Sequence, residues 1–266
     1  MTATQFGLLR GLVIDVDGVL WHGDHTLAGV CRLFDFLRAH QIAFIIATNN
    51  SARPGSEIVE RLAGLGVEIT EDQVLTSAQA TALYLPRVAP RGARVLVVGG
   101  QGLKDEVTRV GYELVDQAAD VVVAGIDWDL TYDKLKRATI EIRHGAKFVG
   151  TNADKTYPGA EGIIPGAGAI LAAIQTATDV APLVIGKPEP AMFDIAVEKM
   201  RVPGKAAAML GDRLDTDIAG AQRAGLTSIL VLTGVTTREA LVQSTVQPDW
   251  VFENLDTLCE MWQRAY

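Results

Sequence analysis

Short apolar segments separated by longer amphipathic stretches recur along the whole chain, and this alternation constrains the fold more than any other feature. The apolar residues of each short segment are consecutive rather than alternating, which is typical of parallel strands covered by helices on both faces. Strands that alternate with helices predict an α/β fold with a doubly wound parallel sheet. Helices are predicted over 30–39 and 55–65, and strands over 12–14, 42–47, 94–98, 121–124, 147–149, 183–185, 206–210 and 227–232.

The composition restricts the partners and the compartment of the protein. Its 266 residues include 24 Lys and Arg against 32 Asp and Glu, a formal net charge of −8. So acidic a chain lacks the basic surface that nucleic acids and anionic membranes require, and neither is an expected partner. We expect the two cysteines, Cys31 and Cys259, to be buried free thiols in a cytoplasmic protein. No signal peptide is recognisable, and no apolar run approaches the roughly 20 residues of a membrane span.

Four of the predicted strands end in polar residues that can perform chemistry. Ligands of doubly wound sheets bind outside the carboxyl ends of the strands, so we expect these four ends to lie together at one edge of the sheet. The strands at 94–98 and 121–124 end instead in glycine turns. The polar segments are residues 15–18, 48–51, 186–188 and 211–217.

The acidic residues of two of these segments suit both catalysis and metal binding. Asp15 and Asp17 follow the first predicted strand, where one carboxylate could attack as a nucleophile and the other could transfer protons. Asp212 would add a third carboxylate for a hard divalent cation such as Mg²⁺. Structural explanations exist as well: Gly18 fits an Asp-rich turn, and Asp217 could cap the following helix.

The other two segments offer groups that bind an anion. The Thr48 hydroxyl and the backbone N–H groups around Asn49 would form a phosphate cradle, although residues of this kind also serve as helix caps. Lys187 lies at a strand end between Gly186 and Pro188, where its backbone is restricted. A lysine held in that way can neutralise a phosphate as a point charge, although most lysines are solvated surface residues.

The order of these motifs resembles that of the haloacid dehalogenase superfamily of phosphohydrolases over essentially the whole chain. The resemblance implies a Rossmann-like catalytic core and a Mg²⁺ cofactor. It also implies a role for each motif residue. Asp15 would be the nucleophile and a metal ligand, Asp17 the general acid/base and a metal ligand through its carbonyl, Thr48 and Asn49 phosphate-binding groups, Lys187 the phosphate-binding lysine, Asp212 a metal ligand, and Asp217 an acid behind the metal ligands.

The chain also resembles the nitrophenyl phosphatase (NagD-like) subfamily, on residues 15–21, 48–51, 151–154, 165–169 and 186–190. That subfamily carries a large class IIA α/β cap between the second and third motifs. The motif-poor middle of the chain falls there, so we predict a cap domain at 80–184 inserted into a core of 1–79 and 185–266. The segment around Asn152 and Asp154 would then contact substrate. Trp128 and Tyr132 are expected to serve packing, His22 is expected to be structural, and relatives that pair through their caps suggest a homodimer.

The resulting functional hypothesis is a Mg²⁺-dependent phosphatase of small phosphate monoesters that acts through an aspartyl-phosphate. Its substrate could be a sugar phosphate, a nucleotide monophosphate, phosphoglycolate, pyridoxal phosphate or p-nitrophenyl phosphate. One alternative is a phosphomutase of the same superfamily. The other is a non-enzymatic phospho-accepting module akin to a receiver domain, although receivers are about half this length and do not need an acid at the Asp17 position.

Overall fold

Two parallel β-sheets organise the chain in a computed structural model that describes residues 6–51, 54–159 and 161–265. The strands are β1 (Gly11–Ile14), β2 (Trp21–His22), β3 (His25–Thr26), β4 (Ala43–Thr48), β5 (Val74–Thr76), β6 (Arg94–Val98), β7 (Glu113–Leu114), β8 (Val121–Ala124), β9 (Lys147–Gly150), β10 (Thr156–Gly159), β11 (Gly162–Pro165), β12 (Leu183–Val184), β13 (Ala207–Gly211), β14 (Thr227–Val231) and β15 (Trp250–Phe252).

Helices connect most of these strands, as βαβ units require. They are α1 (Val30–Ala39), α2 (Gly55–Ala63), α3 (Ser77–Tyr84), α4 (Gln101–Arg109), α5 (Tyr132–Arg143), α6 (Ala167–Thr178), α7 (Pro190–Met200), α8 (Ala219–Arg223), α9 (Arg238–Gln243) and α10 (Leu255–Gln263). A π-helical turn, Leu214–Ile218, immediately precedes α8.

The first sheet has the strand order β15-β14-β13-β1-β4-β5. Strand β1 pairs in parallel with β13 on one side and with β4 on the other, so that Gly11 lies opposite both Ala207 and Ala43. The chain builds outward from β1 in one direction through β4 and β5, and in the other through β13, β14 and β15. The order therefore reverses beside β1, which is the place where doubly wound sheets leave a crevice for a ligand.

The second sheet has the strand order β12-β9-β8-β6-β7, and its neighbouring strands are parallel. Alternate residues of its strands, such as Leu96 and Val122, pack against α5 and α6, with Ile142 and Ile174 in the same hydrophobic cluster. The antiparallel hairpin β10–β11 precedes α6.

The chain divides into two compact units that coincide with these sheets. The first unit combines the chain up to Thr48, the segment Gly55–Leu75 and the chain from Lys187 onward. The second combines Asn49–Pro54 with Thr76–Gly186. The assignment of 80–184 as a specificity cap stays a prediction.

The α/β class and the parallel strands are confirmed, and helix α1 has the predicted bounds. One placement is wrong. The sequence predicts that the strand before Lys187 joins the same sheet as the other three polar strand ends, but β12 pairs with β9 in the second sheet. The short strands β5 and β15 were not predicted, because three residues are too few to give a periodic signal.

Two expectations about surface residues are also corrected. Trp128 and Tyr132 are expected from the sequence to serve packing, but Tyr132 is 83% exposed, and Trp128 is 55% exposed and makes a T-shaped contact with the ring of Tyr157. Both cysteines are free thiols as expected, but only Cys259 is buried and Cys31 is exposed. Burial raises the pKa of the Cys259 thiol to about 11.

No helix among the described residues combines the length and the apolar character needed to cross a bilayer.

An aromatic cluster anchors the last helix to the first unit. Trp262 in α10 is fully buried, with its ring centroid 4.9 Å from that of Phe6 and 5.1 Å from that of Phe36. Phe6 also contacts Trp250 and Phe252 at the end of the sheet. Because these rings come from distant parts of the chain, the cluster joins Phe6 and helix α10 to the same core.

We expect Trp262→Ala to lower the free energy of unfolding by about 3–5 kcal/mol, because it leaves a large cavity among these rings. Urea unfolding followed by circular dichroism measures the change. Trp128→Ala is the matched control, and its effect should stay within about 0.5 kcal/mol because more than half of that side chain is already in solvent. Equal effects of the two substitutions would contradict the assigned core.

Candidate active site

The crevice beside β1 brings two acidic residues together. Asp15 follows β1 and Asp212 follows β13, and these strands are direct neighbours. The backbone N–H of Asp15 donates to the carbonyl of Leu210 at 2.9 Å, which extends the pairing to the first residue beyond β1. Both carboxylates are therefore placed by the sheet itself rather than by flexible loops.

Lys187 enters this crevice immediately after the chain returns from the second unit. Its Nζ lies 2.6 Å from Asp15 Oδ1 and 2.7 Å from Asp217 Oδ1, and its side chain is only 3% exposed. Pro188 follows the lysine through a cis peptide bond, and Pro190 is the first residue of α7. Lys187 is thus a buried, fixed cation and not a solvated one.

Asp217 binds Lys187 and also the backbone of the turn that follows β13. Its Oδ2 accepts hydrogen bonds from the backbone N–H groups of Asp212 at 3.2 Å and Arg213 at 3.1 Å. A Cβ on Gly211 would lie 2.3 Å from the Cβ of Asp217, so this close approach requires glycine. The prediction that Asp217 lies behind the metal ligands is compatible with these contacts, since both of its oxygens are engaged.

The segment after β14 completes the surroundings of Asp212. The N–H of Val235 donates to Asp212 Oδ2 at 2.6 Å, and the Thr233 hydroxyl donates to the carbonyl of Gly18 at 2.7 Å. A Cβ on Gly234 would lie 1.9 Å from Asp212 Oδ2. Sequence reasoning missed these residues. The signal that could have found them is the Thr-Gly pair after β14, because this strand also ends at the same edge of the sheet.

The donor set fits a hard divalent cation. Carboxylate oxygens of Asp15, Asp212 and Asp217 lie within 4.8 Å of one another, and all three residues are buried. Asp212 Oδ1 is itself buried and has no hydrogen-bond partner among the described residues. A buried carboxylate oxygen without a partner is costly, and coordination by Mg²⁺ would satisfy it.

The electrostatics of the cluster point the same way. Burial, reinforced by the Asp217 and Asp212 carboxylates against the opposing effect of Lys187, raises the pKa of Asp15 to about 8. Burial and Asp217 raise the pKa of Asp212 to about 6. Burial alone would lower the pKa of Lys187, but Asp15 and Asp217 outweigh it and raise that pKa above its ordinary value. A divalent cation would lower both carboxyl pKa values by favouring the ionised forms.

Asp17 and Thr48 border the same strand ends. Asp17 is exposed and pairs through its backbone with Trp21, while Gly18 makes the turn with a φ of +84°. The Asp17 carboxylate is not part of the acidic cluster, so its predicted metal contact concerns the carbonyl oxygen alone.

Thr48 is buried at the end of β4, and helix α2 begins only at Gly55. His22 is exposed and its Nε2 contacts the carbonyl of Thr233.

The remaining predicted residues lie in the second unit. Asn49 belongs to it by its contacts, and its side-chain amide donates to Asp154 Oδ1 at 3.1 Å. Asn152 is buried and its Nδ2 donates to the carbonyl of Asn49 at 2.8 Å. Phosphate binding by Asn49 and substrate contact by Asn152 and Asp154 stay predictions.

Comparison with known protein families identifies the class of protein that has this sheet order and this acidic crevice. Residues 12–113 match the family of haloacid dehalogenase-like hydrolases, and residues 184–258 match a second hydrolase-like model of the same kind. The chain belongs to the haloacid dehalogenase-like hydrolase family.

Similar proteins place the chain among the phosphatases of that family, in the nitrophenyl phosphatase (NagD-like) group. It is 38% identical to an acid sugar phosphatase of Staphylococcus haemolyticus, over 93% of this chain and 94% of that protein. The 4-nitrophenylphosphatase of Thermotoga maritima has a TM-score of 0.91 at 36% identity, over 97% of this chain and 99% of that one. A glycerol phosphate phosphatase of Mycobacterium tuberculosis, solved in complex with magnesium, has a TM-score of 0.85 at 36% identity, over 97% of this chain and 78% of that one.

These relatives are phosphatases, neither mutases nor receiver modules, and this chain is a phosphatase.

We expect Gly234→Ala to lower kcat/KM for a phosphate monoester roughly 10- to 100-fold, because its Cβ would displace the Asp212 carboxylate. Initial-rate kinetics measure the change. Gly204→Ala is the control, since a Cβ there would have its nearest neighbour, Leu226 Cδ2, at 3.9 Å. Wild-type kinetics in Gly234→Ala would show that the close approach to Asp212 has no functional role.

Proposed function

We propose that the chain is a Mg²⁺-dependent phosphatase of small phosphate monoesters that acts through an aspartyl-phosphate on Asp15. The observation that carries the proposal is the buried contact of Lys187 with Asp15 and Asp217 beside the unpartnered Asp212 oxygen. The set combines a nucleophile, a fixed cation and a metal-binding edge within one crevice. Phosphoryl transfer asks chiefly for such positioning and charge stabilisation.

Asp15 and Asp212 would hold the metal ion together with the carbonyl oxygen of Asp17. When bound, Mg²⁺ supplies positive charge that offsets the negative charge of the phosphoryl oxygens. Asp217 keeps the loop closed and fixes Lys187, which neutralises a further part of that charge. The Thr48 hydroxyl and the N–H of Asn49 would bind the remaining phosphate oxygens.

The reaction then proceeds in two steps at the same carboxylate. An oxygen of Asp15 forms a bond to phosphorus while the bond to the ester oxygen breaks, and Asp17 protonates the departing alkoxide. In the second step Asp17 takes a proton from water, whose oxygen attacks phosphorus and releases Asp15 as a carboxylate and the phosphoryl group as inorganic phosphate. The exposure of Asp17 suits this role, because it must exchange protons with leaving group and water.

The names of the relatives support a small phosphate monoester as the substrate class. Their names point to sugar phosphates, nitrophenyl phosphate and glycerol phosphate. Nucleotide monophosphates, phosphoglycolate and pyridoxal phosphate belong in the same panel. A cytoplasmic location and pairing through the inserted unit stay predictions of the sequence.

We expect the wild-type protein to release phosphate from members of this panel and Asp15→Asn to lower the rate by about four orders of magnitude or more, because the nucleophile is lost. Phosphate release measured over the panel tests both statements. Near-wild-type turnover in a folded Asp15→Asn protein would remove the nucleophile from the proposal.

Asp17→Asn should bind phosphate but lose turnover. It should also accumulate phosphoenzyme with p-nitrophenyl phosphate, whose leaving group needs little protonation.

We expect EDTA to abolish activity and Mg²⁺ to restore it, with Asp212→Asn raising the half-activating Mg²⁺ concentration more than roughly tenfold. A Mg²⁺ titration of initial rates measures this. Asp215→Asn is the matched control from the same loop, because its carboxylate is exposed and pairs with Arg213. Full activity in chelator, or equal shifts in both variants, would count against a metal at Asp212.

A further inference from the structure

The chain passes between its compact units at four points, and the first and the last of these crossings adjoin proposed phosphate-binding residues. Thr48 is the last residue of the first unit before the first crossing, and Asn49 is the first residue of the second unit. The last crossing, back into the first unit, runs from Gly186 to Lys187. Consecutive Cα atoms are about 3.8 Å apart, so whatever fixes Asn49 and Gly186 also constrains Thr48 and Lys187.

The carbonyl of Asn49 is held by two side chains of the second unit. The hydroxyl of Ser77, at the start of α3, donates to it at 2.7 Å, and Asn152 Nδ2 donates at 2.8 Å. The Asn49 side chain donates in turn to Asp154 Oδ1 at 3.1 Å. Asn49 is therefore fixed through both its backbone and its side chain.

Asn152 is committed to this network. It is buried, and its Oδ1 accepts a hydrogen bond from the N–H of Asp154 at 3.1 Å. Its Nδ2 also lies 3.2 Å from Ser77 Oγ. Both ends of the amide are thus engaged within the second unit, and the side chain braces Asn49 from inside that unit.

Gly186 packs against the same residues. A Cβ there would lie 2.7 Å from Asn49 Oδ1 and 2.8 Å from the Cβ of Asn152. The N–H of Gly186 donates to the carbonyl of Thr151 at 2.8 Å. Asn49, just after the first crossing, and Gly186, just before the last, therefore both contact Asn152, although they are far apart in sequence.

We propose that Asn152, assisted by Ser77, is a positioning residue for phosphate binding. It fixes Asn49 and Gly186, and through them the neighbouring Thr48 and Lys187, without touching the substrate. The inference rests on the proposed roles of Thr48 and Lys187. It differs from the sequence prediction of direct substrate contact because it makes the effect independent of the leaving group.

Inorganic phosphate is the probe that separates the two roles, because it has no leaving group. We expect Asn152→Ala and Ser77→Ala to raise the Ki of inorganic phosphate roughly three- to tenfold, about the worth of one lost hydrogen bond. We also expect kcat/KM to fall by the same factor for p-nitrophenyl phosphate and for a sugar phosphate. Partial unfolding would lower the apparent kcat but leave Ki unchanged.

The matched control is Thr81→Val. Thr81 lies one helical turn beyond Ser77 in α3, is buried, and donates its hydroxyl to the Ser77 carbonyl at 2.7 Å. The control removes a buried hydroxyl from the same helix without touching Asn49, so its Ki should be that of the wild type. Ser77→Ala removes a single oxygen and decides the matter if Asn152→Ala does not fold.

An unchanged Ki in both variants overturns the inference, and so does a fall in kcat/KM that differs between the two substrates while Ki stays constant. The latter result would assign Asn152 to direct contact with the leaving group. Lys187→Met tests the underlying site separately. If it leaves the Ki of phosphate unchanged, the proposed phosphate site fails and the inference fails with it. If it raises Ki while the Asn152 and Ser77 variants do not, only the inference fails.

Discussion

The buried ion pairs of Lys187 with Asp15 and Asp217 are the interaction on which the site depends. An ammonium or carboxylate removed from water is costly unless it is paired and hydrogen-bonded, and here all the charges are buried. The cluster is therefore stable only as a set. Its members come from the end of β1, the turn after β13 and the last crossing into the first unit, so correct sheet order is a condition for burying any of them.

Backbone placement, more than side-chain reach, gives this site its precision. Gly211 and Gly234 allow main chain to approach Asp217 and Asp212 more closely than any Cβ would permit. The N–H groups of Val235 and Arg213 then orient the carboxylates. Since backbone donors cannot rotate away as side chains can, the carboxylate oxygens are fixed before a ligand arrives, which lowers the cost of binding it.

Sequence patterns predicted the part of this arrangement that rests on strand ends. Consecutive apolar residues located β1 and β13, and the polar residues after them placed Asp15 and Asp212 at one edge, where the structure has them. The same reasoning misplaced β12, because two apolar residues carry no information about which sheet they join. The contribution of Val235 could not be predicted, because every residue except proline has the same backbone N–H group. The bracing of Asn49 by Asn152 depends on tertiary packing that no local pattern encodes.

The position of β1 between β13 and β4 has a consequence for how the chain folds. Gly11 pairs with Ala207, so β1, one of the two central strands of the first sheet, gains its second neighbour only after almost two hundred further residues have been synthesised. The second unit is nearly continuous in sequence and can form its local contacts first. Until β13 emerges from the ribosome, one edge of β1 is unpaired and open to aggregation, and such a high contact order slows folding. Because the second unit interrupts the first, and Lys187 follows that interruption, the first unit can assemble only late in the synthesis of the chain.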